Sequence, residues 1–105
     1  MRTRVIYKIL ATLLKYAGNN DFDAGMISAD KMKLSYDEWQ YLIVLLAKNG
    51  YVDGVVYTQA LCDRWPVLVD ASRIGITIKG IEYVEKNSTM RKIGSALKSA
   101  GEILG

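Results

Sequence analysis

LSYDEWQYLIVLLAKNGY, residues 34–51, reads as a helix that runs straight into the start of a strand. Ser35 stands at a helix N-cap, and Glu38 three residues later completes a capping box that satisfies two orphan N–H groups. Trp39, Leu42, Ile43 and Leu46 then recur at helical spacing and form one broad apolar face. Gly50 follows at C′, where a left-handed turn stops the helix. Opposite the core face lie Asp37, Gln40, Tyr41, Val44 and Lys48, with Glu38 towards one edge. In a small helical domain this is the position of the second helix of a helix-turn-helix.

Working back towards the N-terminus, Asp21 to Met26 is a polar loop, and Ser28 caps a short helix with Asp30 in its first turn. Lys33-Leu34 links that helix to the next. Thr3 to Ala17 reads as a long amphipathic helix. Val5, Ile6, Ile9, Leu10, Leu13 and Ala17 turn inward, while Arg4, Lys8, Thr12 and Lys15 form a solvated stripe. Gly18-Asn19-Asn20 closes it with residues that tolerate a left-handed backbone. Long helix, short helix, tight turn and second helix give helix-turn-helix spacing.

Working forward, Tyr51 to Thr58 (YVDGVVYT) is rich in β-branched and aromatic residues and predicts a strand. Gly54 inside it marks a bulge or a close backbone approach. Gln59 to Pro66 is a loop, and Val67-Leu68-Val69 is the returning strand, with Pro66 at its tolerated first position. Two such strands after a helix-turn-helix make a wing. Ile76 to Ser88 predicts the next helix, capped by Thr77, with Ile78, Ile81 and Val84 facing the core. A last helix opens at Ser88 and carries Met90, Ile93, Leu97, Ala100 and Leu104 as one apolar stripe. Gly94 and Gly101 weaken it by about 1 kcal/mol each relative to alanine, so it needs a partner, either its own domain or a second subunit.

These segments add up to an α+β, mostly helical chain. They predict one winged-helix domain over residues 1–105, with a C-terminal helix over residues 88–105. A chain of 105 residues suits a single modest core. The balance of 14 basic against 11 acidic residues gives a net charge of +3, which permits a polyanionic partner without demanding one. No apolar run approaches the roughly 18 residues that span a bilayer, and no signal-peptide pattern opens the chain. The single cysteine, Cys62, forms no internal disulfide, which fits a reducing cytoplasm.

The element order, with Asn49-Gly50-Tyr51-Val52 entering the first wing strand and Thr77-Ile78-Lys79-Gly80-Ile81 entering the following helix, resembles the YjcQ-like family of winged helices. The likeness covers roughly residues 3 to 88. It implies a small DNA-binding protein of bacteria or their phages, a regulator or accessory factor, and it carries over no site residues.

Catalysis finds little support in these residues. No histidine is present, which removes the side chain best placed to move protons near neutrality and any Ser-His or Cys-His pair. There is no phosphate-binding glycine loop and no cysteine pair at metal spacing. Asp21 and Asp23 lack a third carboxylate at calcium-loop spacing, and Cys62 beside Asp63 and Arg64 lacks a base. The expectation is a non-enzyme with no catalytic residues, no metal, no cofactor, no small-molecule ligand and no membrane partner.

Binding is the remaining class. Asp37 and Glu38 in the first turn of the second helix complement its dipole, and they would face like charge in a DNA groove. Arginine, lysine, asparagine and glutamine are the usual base readers, and here only Gln40 and Lys48 qualify. Arg64 and Trp65 in the wing loop suit a minor groove or an unpaired base. DNA contacts are therefore expected at Gln40, Lys48, Arg64 and Trp65, with Arg4 and Lys92 on phosphates, in weak, backbone-dominated binding to double-stranded DNA. The alternative is a protein-binding or self-associating module. It would use Tyr41 and Val44 as an outward patch, and Ile93, Leu97, Ala100 and Leu104 as a homodimer seam.

Overall fold

Ser35 starts the central helix as its sequence dictates. Its hydroxyl oxygen accepts from the Glu38 N–H at 3.2 Å and its O–H donates to the Glu38 carboxylate at 3.3 Å. In the computed structural model, which describes residues 2–87, this helix spans Tyr36–Lys48 and is preceded by two others. We number the helices α1 (Arg2–Lys15), α2 (Ala29–Met32), α3 (Tyr36–Lys48) and α4 (Ile78–Lys86). The strands are β1 (Val52–Asp53), β2 (Val56–Thr58), β3 (Val67–Asp70) and β4 (Gly75–Ile76). The chain is thus α+β and about half helical, consistent with helices followed by a hairpin wing.

Two caps join α2 to the chain before α3. Asp23 Oδ1 accepts from the Gly25 N–H at 3.0 Å and opens a 3-10 turn over Ala24–Ile27, so the expected polar loop is partly helical. Ser28 Oγ accepts from the Lys31 N–H at 3.3 Å, as its cap role requires. Lys33 then adopts the left-handed conformation, φ 57°, and turns the chain into α3. The indole N–H of Trp39 donates to the Ile27 carbonyl at 2.7 Å and ties α3 to the turn before α2.

Ile9, Leu10, Ile27 and Ile43 form the centre of the core and are fully enclosed, with Leu13, Met32, Leu46, Val52, Ile74 and Val84 around them. Tyr7 also belongs to this core, whereas Ala17 lies past the end of α1 and is exposed. The C-terminal helix expected over residues 88–105 lies outside the described residues, as do Lys92, Ile93, Leu97, Ala100 and Leu104.

The predicted strand Tyr51–Thr58 divides in two. β1 pairs antiparallel with β4 (Val52 with Ile76, Asp53 with Gly75), and β2 pairs antiparallel with β3 (Tyr57 with Leu68, Thr58 with Val67). The two pairs form one hairpin interrupted midway. Gly54, φ 74°, sits at the interruption, and a Cβ there would overlap the carbonyl of Arg73. Of the two alternatives anticipated at Gly54, a bulge or a close backbone approach, the close approach is present, and the register shift of the ladder falls between Val56 and Tyr57. The opposite strand crosses the gap by a turn in which Ile74 N–H donates to Ala71 O at 3.1 Å.

The following helix begins two residues later than predicted. Ile76 belongs to β4, Thr77 Oγ1 caps α4 by accepting from the Gly80 N–H at 3.1 Å, and Ile78 is 76% exposed. Ile74 and Ile76 fill the inward positions by strand alternation. The switch to helical period at Thr77 turns Ile78 outward.

Two outcomes test this description. Replacing Gly54 with alanine combines a left-handed backbone with a steric overlap, so thermal unfolding of that variant should show a loss of about 1–3 kcal/mol. The Asp70 carboxylate is held below the ordinary aspartate range by the Ser72 N–H at 3.0 Å, the Ser72 hydroxyl at 3.2 Å and the charge of Arg73. A depressed folded value means that this contribution is present above the unfolded pKa and disappears as pH falls through the folded one. An NMR pH titration should find the Asp70 midpoint lowered, and Ser72→Ala should return it towards normal.

Candidate functional site

α3 carries the residues expected to read DNA, and the hairpin decides what they can do. Gln40 Oε1 accepts from the backbone N–H of Leu68 at 2.7 Å. The side chain of Gln40 thus ties β3 to α3 at Leu68. Val44, one turn on, is fully buried. Expected as an outward patch, it instead lies beneath the returning chain and shares the lining of one hollow with Trp65 and Pro66. Tyr41 remains at the surface, and its ring meets that of Trp65 edge-on, with centroids 5.3 Å apart and planes at 81°.

The hairpin loop is positioned by a polar relay. Lys48 Nζ donates to Gln59 Oε1 at 3.3 Å, and Gln59 Nε2 donates in turn to the carbonyls of Asp63 at 3.4 Å and Arg64 at 3.5 Å. Asp63 closes the loop on itself, accepting from the Ala60 N–H at 3.1 Å. The guanidinium of Arg64 lies over the Trp65 indole, 5.3 Å from its centroid.

The fold therefore brings together Tyr41, Lys48, Gln59, Arg64 and Trp65 around a solvent-open hollow of about 200 Å³. Lys48, Arg64 and Trp65 were expected from the sequence. Gln59 was not, and nothing in its local sequence separates it from any other polar loop residue. Gln40 is adjacent but committed to Leu68. Arg4 is exposed on α1, which packs chiefly against α4 and β4.

Just past the C-terminal end of α3 the two segments singled out by their sequence meet each other. Thr77 Oγ1 donates to the Gly50 carbonyl at 2.6 Å, Thr77 N–H donates to the Tyr51 carbonyl at 3.2 Å, and Lys79 Nζ donates to the Asn49 carbonyl at 2.9 Å. Lys79 also stands over the Tyr51 ring at 4.8 Å, and Tyr51 packs edge-on against Tyr83 at 5.7 Å. Burial raises the Tyr83 pKa, with Tyr51 adding to the effect. A Cβ on Gly80 would overlap the Tyr51 carbonyl, so α4 can seat on β1 only with glycine there. Asn49-Gly50-Tyr51-Val52 and Thr77-Ile78-Lys79-Gly80-Ile81 are thus two halves of one junction.

The chain belongs to the YjcQ family. The family model, described as YjcQ protein, matches residues 7–103. No curated protein and no solved structure matches the chain. Among the described residues of this family member, no helix is long and apolar enough to cross a membrane.

The Gln40–Leu68 hydrogen bond is open to direct test. Gln40→Ala leaves a partly buried N–H without its acceptor, at a cost of about 1–3 kcal/mol. Amide exchange at Leu68 should accelerate by roughly tenfold or more in that variant, while amides of α1 and α4 should follow only the global change in stability.

Proposed function

We propose that this member of the YjcQ family binds double-stranded DNA weakly, chiefly through phosphates, as a regulator or accessory factor. The observation that supports this reading is the convergence of Lys48, Arg64 and Trp65, from α3 and the hairpin loop, on one open hollow. Two cations beside an exposed indole can pair with adjacent phosphates and rest an aromatic face against sugar or base.

The same geometry argues against a base code read by α3. β3 covers the middle of its outward face, where Gln40 is spent on Leu68 and Val44 is enclosed. A groove-reading pose of that face would require the hairpin to leave. Asp37 and Glu38 also oppose the phosphate field at the helix start.

Affinity for random duplex should fall in the non-specific range, about 10⁻⁴ to 10⁻⁶ M at physiological salt, and weaken with added salt by about 0.9 in log–log slope per phosphate contacted. The double variant Lys48→Gln/Arg64→Gln should flatten that slope by about 1.8. A slope unchanged in the double variant, or no binding to duplex at low salt, overturns the reading.

A further inference from the structure

Trp65 separates the cationic hollow from a second, larger groove. This groove encloses about 520 Å³ and is lined by Asp37, Glu38, Gln40, Tyr41, Trp65 and Pro66. Its walls are fixed before any ligand arrives. Gln40 is held to the Leu68 N–H, and the Tyr41 and Trp65 rings brace each other edge-to-face. Both rings are open to solvent, Tyr41 at 38% and Trp65 at 57% exposure.

The lip of the groove is acidic. Asp37 and Glu38 lie exposed in the first turn of α3. The positive end of the helix dipole amounts to about half a charge, so it offsets only part of the Asp37 carboxylate. An aromatic floor beside a negative lip repels a second polyanion and attracts a chain that carries apolar rings and cations together.

We propose that this groove docks an extended, proline-containing basic segment of a partner protein. Such a segment is preformed as polyproline II and loses little entropy on binding, and its pyrrolidine rings pack on tyrosine and tryptophan faces. A lysine or arginine flanking the prolines reaches Asp37, whose charge sets the orientation and excludes acidic competitors. The Glu38 carboxylate, which accepts from Ser35 Oγ, adds to the field of the lip. The groove shares Tyr41, Trp65 and Pro66 with the cationic hollow, but its charged lining is Asp37 and Glu38 and not Lys48 and Arg64, so the inference does not rest on DNA binding.

The test is an NMR titration of the full chain with synthetic peptides of repeating Pro-Pro-Arg, Pro-Pro-Glu and Gly-Ser-Arg. The Pro-Pro-Arg peptide should shift the Trp65 indole and Tyr41 amide signals with micromolar to sub-millimolar affinity, and salt should weaken it. Asp37→Lys should reduce that affinity by about tenfold or more, with Asp37→Asn falling between it and the parent. Lys8→Gln, at an exposed cation on α1 that lines neither hollow, should leave it within about twofold. Shifts of equal size with Pro-Pro-Glu, equal affinity for Gly-Ser-Arg, insensitivity to Asp37→Lys, or no shifts at Trp65 and Tyr41 would each overturn the inference. Tyr41→Ala, which removes one ring from the groove, gives a second variant with the same expected loss.

Discussion

The junction between the end of α3 and the start of α4 is the constraint on which the rest of the molecule depends. Three hydrogen bonds from Thr77 and Lys79 consume the carbonyls of Asn49, Gly50 and Tyr51, the three residues that follow α3. With those carbonyls spoken for, the chain leaves α3 in one direction only, and β1 is delivered beside β4. Gly80 lets α4 close to backbone distance, so Val84 reaches the same core as Ile43 and Val52. Hairpin direction, α4 placement and core closure are set by one small set of contacts.

The direction of the hairpin controls what surface α3 offers. Because β3 lies along the face that carries Gln40 and Val44, α3 functions as a supporting wall and not as a free probe. Chemistry at the surface passes to the ridge formed by Tyr41 and Trp65 and to the charges on either side of it. Lys48 and Arg64 lie on one flank and Asp37 and Glu38 on the other. A single aromatic ridge thus stands between two cations and two carboxylates on a fixed backbone.

Local signals proved readable from the residues themselves. Ser28, Ser35 and Thr77 cap the helices that follow them because a cap involves only neighbours within three residues. The helical period of α1 located Ile9, Leu10 and Leu13 correctly for the same reason. Ile78 misled because a strand and a helix meet there. Ile74, Ile76 and Ile78 share strand parity, and only the register of β4 with β1 shows where that parity ends. Val44 sits within an apolar run of α3. Leu42 to Leu46 is five apolar residues in succession, more than a full helical turn, and a helix apolar all round is enclosed all round. The contact that encloses it joins Gln40 to Leu68, 28 positions apart. No local pattern announces such a pairing, and the relay from Lys48 through Gln59 is hidden for the same reason.

The seal that Gln40 places on Leu68 has a consequence for the behaviour of the chain at high concentration. A two-stranded ribbon presents two unsatisfied borders, and the outward row of Val56, Val67 and Val69 is more than ordinarily sticky. On one border the Leu68 N–H is taken by a side chain of the chain's own helix, which withdraws that donor from edge-to-edge pairing with another ribbon.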